Sequence, residues 1–244
     1  MDVLCKKFAK YYDLIYHFKK YDEETKFVLS LIKKFNIKGK EILEMGCGTG
    51  SHTLLLTKEG FNVLGVDLSS YMLKLAKQKV RGTKFMIGDM RTFRSKKKFD
   101  ISLCLFSTMH YNKNYNDLKK TIENFYAQLK SGGLLIFDMG FNKERFDEGH
   151  FTSQVSEKGN VSLARIGKTF RSGSKARLIF NYVLFEGKKM SLMKEEHSLG
   201  IFDTLKVKKI MEKIGFKTYI YNSYTSKAWT PKSKDYVVFT GIKK

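Results

Sequence analysis

The stretch from Glu41 to Leu56 constrains the fold more than any other. An apolar run, Glu41-Ile42-Leu43-Glu44-Met45, leads into Gly46-Cys47-Gly48-Thr49-Gly50, and Leu54, Leu55 and Leu56 follow. Alternate glycines permit a tight turn and let a ligand come close to the backbone, so the stretch reads as strand, turn and helix. Similar units recur downstream. Residues 61–67 read as a second strand, and Ser69 caps a helix carrying Met72, Leu73 and Ala76 on one side. Residues 84–87 and 99–106 read as strands three and four, 115–130 as a helix with Leu118, Ile122 and Phe125 on its apolar stripe, and 134–137 as strand five. Alternation of buried strands with helices means a parallel sheet covered on both faces.

Upstream, Leu4, Phe8, Tyr11, Tyr12 and Ile15 fall at helical spacing, which predicts one amphipathic helix over 2–18. Val28, Leu31, Ile32 and Phe35 mark a second helix that ends before Gly39. Beyond strand five the pattern changes. Residues 160–170, 176–186 and 190–202 are β-like runs separated by Arg171-Ser172-Gly173-Ser174 and Gly187-Lys188-Lys189, with no helix between them. These read as an antiparallel insertion. A helix capped by Asp203 and closed by Gly215 follows, then strands over about 217–224 and 235–242. The expected fold class is α/β, a doubly wound, mostly parallel seven-stranded sheet with an inserted antiparallel β-subdomain. One domain spans 1–244, with a helical segment at 1–38, a core at 39–140 and 203–244, and the insert at 141–202.

With 244 residues and 42% hydrophobic residues, the chain can bury a sizeable core. No run approaches about eighteen apolar residues, so no transmembrane helix is expected. The N-terminus lacks a long apolar segment, so a secretion signal is not expected either. Cys5, Cys47 and Cys104 form no CxxC pair, which excludes a disulfide framework and an ordinary zinc site and fits a reducing cytoplasm. Lys and Arg number 46 against 24 Asp and Glu, a net charge of +22. The lysine pairs are spread along the whole chain, which reads first as solvated faces and second as an anionic partner.

Carboxylates surround the glycine turn. Asp67 ends strand two, where it can accept hydrogen bonds from both hydroxyls of a ribose. Asp89, in Gly88-Asp89-Met90, follows strand three, where it can meet an adenine amino group. Glu44 stands two residues before Gly46. All three fall at carboxyl ends of adjacent strands, where open α/β sheets bind ligands.

These residues resemble the class I S-adenosylmethionine-dependent methyltransferases, whose Rossmann-like fold carries an acid before GxGxG, an acid after strand two and an acid after strand three. The resemblance covers essentially the whole chain and implies S-adenosylmethionine as cofactor. A nicotinamide dinucleotide fold is the rival reading, but it prefers GxGxxG and handles a pyrophosphate, beside which Glu44 is unwelcome. A narrower resemblance is to the dTDP-amino-sugar N,N-dimethyltransferases. It rests on Tyr12-Asp13-Leu14-Ile15-Tyr16, Cys47-Gly48-Thr49-Gly50-Ser51-His52, Gly88-Asp89-Met90-Arg91, Cys104-Leu105-Phe106-Ser107-Thr108, Phe146-Asp147-Glu148-Gly149 and Glu195-Glu196-His197. It implies methyl transfer to a small-molecule acceptor at nitrogen, an amino sugar or another amine.

The cofactor-lining residues expected from this resemblance are Tyr12, Tyr16, Glu44, Gly46, Cys47, Gly48, Gly50, Asp67, Leu68, Met72, Asp89, Met90 and Leu105, with no metal ligands. The first helix of such enzymes often lids the cofactor, which assigns that role to residues 1–38. Tyr12 and Tyr16 then line the site, or else pack into the core. Cys47 is expected to matter for its small size. The loop after strand four should face the methyl group, which makes His110 and Tyr111 the candidates for orienting the acceptor or taking its proton. His110 as a partly buried loop residue is the alternative. Glu195, His197 and Leu199 alternate onto one face of an inserted strand. They reach the acceptor pocket or form a satisfied polar edge.

An RNA base or ribose methyltransferase is the main alternative and would use the charge. Against it, Leu105-Phe106-Ser107-Thr108 holds no Pro-Pro-aromatic motif of exocyclic-amine methylation, and Cys104 lies inside strand four. A non-catalytic cofactor-binding subunit is the third reading. The inserted sheet's exposed edges allow a homodimer.

Overall fold

The computed structural model describes residues 8–233 and 235–244. Leu4 and Cys5, which belong to the expected first helix and cysteine inventory, lie outside them. A seven-stranded sheet is built from β1 (Glu41–Met45), β2 (Asn62–Asp67), β3 (Lys84–Ile87), β4 (Phe99–Cys104), β5 (Leu129–Met139), β10 (Phe216–Asn222) and β11 (Val237–Lys243). Its order is β10-β11-β5-β4-β1-β2-β3. β1 through β5 pair in parallel, and β11 runs antiparallel to both β10 and β5. The chain winds outward from β1 to β3 and then returns through β4, so the turns after β1 and β4 face each other where the direction of winding reverses. Ligands settle at that crevice in sheets of this kind.

Both faces of the sheet are covered, which is why its strands read as apolar runs. Helices α5 (Tyr115–Gln128) and α6 (Thr204–Ile214) set Leu118, Ile122, Phe125, Val207 and Met211 against Leu43, Met45 and Phe137. On the other face α2 (Tyr21–Lys34) and α3 (Ser51–Lys58) bring Phe27, Val28, Leu31 and Leu56 onto Ile42, Ile101 and Leu103. α4 (Ser70–Lys79) packs Leu73 and Ala76 beside Cys47 and Phe85. Three caps set helix starts, Ser69 and Asp203 as the sequence indicates and Asn114 in addition. Ser69 accepts from the Met72 N–H, Asn114 from Asp117 and Asp203 from Lys206.

Between β5 and α6 stands a second, antiparallel sheet, β6 (Phe151–Lys158), β7 (Val161–Ser172), β8 (Lys175–Glu186) and β9 (Lys189–Gly200), in that order. Its hairpins turn on Gly159, Gly173 and Gly187, each near φ +60, the left-handed backbone that such two-residue turns require. β6 is absent from the sequence expectation. Its apolar residues, Phe151 and Val155, are exposed, so no buried alternation marks it.

The predicted helix over 2–18 does not form as one unit across the described residues. A 3-10 turn at Ala9–Tyr11 passes into the single-turn α1 (Tyr12–Ile15). Its apolar residues serve two surfaces. Tyr11 and Ile15 pack on Leu163, Tyr182 and Leu184 of the inserted sheet, while Tyr12 and Tyr16 turn to the cavity described below. Strand five starts earlier than expected, because Leu129 pairs with Phe99 of β4 ahead of a register shift, after which Leu134 pairs with Ile101. Among the described residues no helix is long and apolar enough to cross a membrane.

Gly65, mid-strand in β2, shows how tightly the sheet meets its cover. A Cβ there would lie 2.5 Å from the Phe85 ring and 3.0 Å from Cys47 Sγ. Gly65→Ala should therefore lower the unfolding free energy by roughly 1–3 kcal/mol, read as a lower urea midpoint at unchanged slope. An unchanged midpoint would mean the ring has room to move.

Candidate active site

The glycine turn after β1 is pinned to β2. The N–H groups of Gly46 and Cys47 both donate to the Val66 carbonyl, at 2.7 and 3.1 Å. Gly46, Gly48 and Gly50 take φ of +70, +55 and +78, angles that cost little only for glycine. At Gly46 a Cβ would strike the Thr108 side chain at 2.5 Å, whereas at Gly48 it would meet nothing within 4 Å. The Gly48 backbone thus borders open space. Asp67, at the end of β2, accepts the Gly48 N–H at 2.9 Å and the Ser69 N–H at 2.8 Å. Burial pushes its carboxyl above the usual range, against the pull of those bonds. Glu44 is fully buried, and burial pushes its carboxyl up to about 7. The Thr53 hydroxyl donates to it and opposes the shift, while the Asp67 charge adds to it. Asp89, past β3, accepts from the Arg91 backbone and guanidinium, which holds its carboxyl below the usual range.

A fourth carboxylate, Asp138 at the end of β5, governs the loop after β4. Phe106 and Ser107 both have positive φ, +62 and +59, a strain of about 1–3 kcal/mol for each such residue. Asp138 accepts both of their N–H groups, from Phe106 at 2.9 Å and from Ser107, and also the Tyr224 hydroxyl. Ser107 in turn holds the Gly140 N–H at 3.0 Å and contacts the Tyr236 hydroxyl. An acid inside an apolar strand was the available signal for Asp138, the same signal that marks Glu44.

His110 does not line the cavity; it takes the place of the alternative, a buried loop residue. It is completely buried between the rings of Phe141 and Phe202. Its Nδ1–H donates to the Gly200 carbonyl at 2.7 Å, and Nε2 accepts the Phe141 N–H at 3.1 Å. Burial pushes its imidazole down to about 4. With both nitrogens committed to backbone, it ties the loop after β4 to β9. The next residue, Tyr111, is 42% exposed and faces the cavity.

The N-terminal segment closes over this edge. Asp13 accepts from Thr49 at 2.6 Å and pairs with Lys79 at 2.8 Å, and Lys79 also reaches Thr49 and Ser51. Lys19 pairs with Glu24, which also meets His52 at 2.8 Å, and stands over the Phe106 ring. The Tyr12 and Tyr16 rings lie 4.7 Å apart, and Tyr16 meets the edge of Phe106. None of these polar links was legible beforehand, because each joins segments distant in sequence.

A cavity of about 1510 Å³ joins these parts. A pocket for a single drug-sized ligand measures roughly 300–1,000 Å³, so the space suits two reactants together. Of the expected residues, Tyr12, Tyr16, Glu44, Gly46, Cys47, Gly48, Asp67, Leu68, Met72, Asp89, Met90, Leu105 and Tyr111 line it. Gly50 does not. It forms the foot of α3, where a Cβ would lie 3.2 Å from that of Ala76. Burial pushes the Cys47 thiol up, so it is no nucleophile, and it packs among Leu73, Ala76 and Phe85. At the far end stand His197 and Leu199 of β9, with Arg145, Arg165 and Phe180. Arg165 lies over the Tyr16 and Phe180 rings, about 5 Å from each.

Residues 42–133 match the family described as a methyltransferase domain. The chain is 27% identical over 197 residues to dTDP-3-amino-3,4,6-trideoxy-alpha-D-glucopyranose N,N-dimethyltransferase of Streptomyces venezuelae, covering 80% of this chain and 83% of that one. The solved DesVI of the same organism superposes with a TM-score of 0.87 at 24% identity, over 98% of this chain and 99% of that one. The amino pentose methyltransferase CalS10 of Micromonospora echinaspora, solved with S-adenosylmethionine bound, gives 0.80 at 22%, over 93% and 92%. Residues 42–133 thus carry an S-adenosylmethionine-dependent methyltransferase domain, and the described residues share the fold of these solved enzymes.

Glu44 makes the ligand-free chain sensitive to pH. A carboxyl raised to about 7 when folded but near 4.3 unfolded favours the protonated state on folding. The penalty for ionising it is absent at low pH, grows between those values and is complete above about 7, on the order of 3 kcal/mol. Glu44→Gln should raise the melting temperature of ligand-free protein clearly near pH 8 and little near pH 4.5. An equal shift at both values would contradict the assignment.

Proposed function

We propose that the chain methylates the amine of a small anionic acceptor, an amino-sugar nucleotide. The observation that carries this reading is one cavity running from the open Gly48 backbone, with Glu44 and Asp67, to Arg165 and His197 on the inserted sheet. The end near Gly48 fits the cofactor. A buried, partly neutralised carboxylate such as Glu44 suits a ligand with an amino group and no phosphate, because the ligand's charge stabilises the ionised form. Asp67 takes the ribose hydroxyls. Asp89 and Met90 meet the adenine, and Leu68, Met72 and Leu105 surround it. Tyr12 and Tyr16, in the segment 1–38, act as the lid. S-adenosylmethionine supplies a methyl group activated by its sulfonium, and transfer exchanges a C–S bond for a C–N bond with the electron pair left on sulfur. The protein then has to hold the nitrogen in line and keep water out.

Two features support the acceptor class. The Streptomyces venezuelae relative is named for a dTDP-linked amino sugar. Arg145 stands over the Tyr236 ring and Arg165 over Tyr16 and Phe180, so cation and aromatic alternate along the outer wall, as a nucleotide diphosphate requires.

The inserted sheet also supports self-association. The strand register puts Val155, Ile166, Phe185, Met190 and Leu192 on its outer face, all exposed. Sedimentation should find a dimer, and Leu192→Lys should shift it toward monomer. A wild-type monomer at all concentrations would contradict this.

Calorimetry with S-adenosylmethionine should show binding weakened at least about tenfold, 1.4 kcal/mol, in Asp67→Ala. The wild-type enzyme should transfer labelled methyl to dTDP-3-amino-3,4,6-trideoxyglucose. Transfer to RNA and to no amine would overturn the acceptor reading while leaving the cofactor site standing.

A further inference from the structure

Beyond the cofactor end, the wall of the cavity holds a linked set of polar side chains that the fold does not need for its core. Tyr111, on the 3-10 turn after β4, puts its hydroxyl 2.9 Å from Nδ1 of His197 on β9. His197 Nε2 lies 3.3 Å from Oε2 of Glu195, two residues back on the same face. Glu195 is 1% exposed, and its Oε2 also accepts the Tyr182 hydroxyl at 2.8 Å from β8. The line runs from a half-exposed phenol in the cavity to a carboxylate sealed beneath the inserted sheet.

The geometry points to a proton relay. We propose that Tyr111, His197 and Glu195 remove the proton of a cationic amine acceptor, with Tyr111 touching the acceptor and the other two acting through it. This rests on the amine-methylation reading above. The Glu195 carboxylate beside Nε2 favours the tautomer that carries its proton there, which leaves Nδ1 to accept from Tyr111. The Tyr111 hydrogen then points away from the cavity and its lone pairs point in, so it accepts an N–H from the acceptor. In the transfer, an acceptor N–H bond breaks and its proton goes to the Tyr111 oxygen. The Tyr111 proton passes to His197 Nδ1, and the imidazolium so formed pairs with Glu195. The nitrogen lone pair is freed for the methyl group. Each methylation leaves the nitrogen cationic again, so a second transfer needs the same step. The relay resets by the reverse path to water once product has left.

The surroundings of His197 suit this task. Tyr111 meets it from the turn, Glu195 from its own strand, and Tyr182 through Glu195. On β7, Arg165 lies over the Phe180 ring, and that ring also meets His197 edge to face. Glu196 points to the other face and pairs with Arg177. His110, on the same turn as Tyr111, has both nitrogens bound to backbone. Among the described residues Glu195 is thus an acidic group set against His197.

The test uses Tyr111→Phe and Glu195→Gln, with cofactor affinity checked by calorimetry. With dTDP-3-amino-3,4,6-trideoxyglucose, both variants should lose at least about tenfold in kcat/KM near roughly pH 7. They should approach wild type near about pH 10, where the acceptor is already a free base. Rate profiles lowered by the same factor at every pH would mean a structural role and overturn the relay. A second readout needs no acceptor. Nitrogen NMR of His197, with S-adenosylhomocysteine bound, should show Nδ1 unprotonated at neutral pH. His197 should protonate at lower pH in Glu195→Gln than in wild type. A protonated Nδ1, or a titration unmoved by Glu195→Gln, would overturn the relay even if wild type methylated no amine, a result that would by itself sink the acceptor reading.

Discussion

The carboxyl edge of the central sheet is organised by acids that bind backbone rather than one another. Asp67 holds the N–H of Gly48 and Ser69, Asp89 that of Arg91, and Asp138 those of Phe106 and Ser107. Each stands where a parallel strand stops and a loop must leave the sheet. A loop at that point loses its ladder partners, and an unpaired buried N–H costs about 1–3 kcal/mol. The carboxylates supply those partners and determine the path of each loop. The turn after β1 and the loop after β4 are thereby held open toward each other, on either side of the crevice.

That arrangement has an electrostatic consequence. Glu44, Asp67 and Asp138 are all drawn toward the neutral form by burial. Ligand-free, the site is a place where negative charge is poorly solvated. A ligand bringing a cation and hydroxyl donors removes the penalty, so binding and relief of desolvation coincide. Lys19, close to both Glu24 and the Phe106 ring, and Lys79, on Asp13, bring positive charge from outside the sheet. They also fasten the N-terminal segment across the opening.

What the sequence revealed follows from range. The strands and caps of the core depend on neighbours a few residues apart, and Ser69 and Asp203 were readable as local signals. Asp67 and Gly46 were readable because strand, turn and acid recur at short spacing. The first helix failed because its apolar residues face two different surfaces, Tyr11 toward the inserted sheet and Tyr12 toward the cavity. β6 was missed because its apolar side chains are turned outward. His110 and Tyr111 are adjacent in sequence, and local chemistry made both candidates. Their roles separate only because Gly200 and Phe141, far along the chain, capture both nitrogens of one and leave the other in the cavity wall.

The same distinction divides the site itself. The end of the cavity beside Gly48 is made by the core, where sheet topology brings the ends of β1, β2 and β3 together. Its other wall holds side chains from the inserted sheet, and their placement depends on hairpin register. A one-residue slip in β9 would turn Glu195 and His197 to the outer face and bring Glu196 inward. The pairing of Leu178 with His197 and of Phe180 with Glu195 across β8 prevents that slip, because it keeps Leu178, Tyr182 and Leu184 on the buried face. The register that packs the insert is therefore the register that aims Glu195 and His197 at Tyr111. The placement of these polar groups in the cavity wall is tied to the hydrophobic pattern of the strands that carry them.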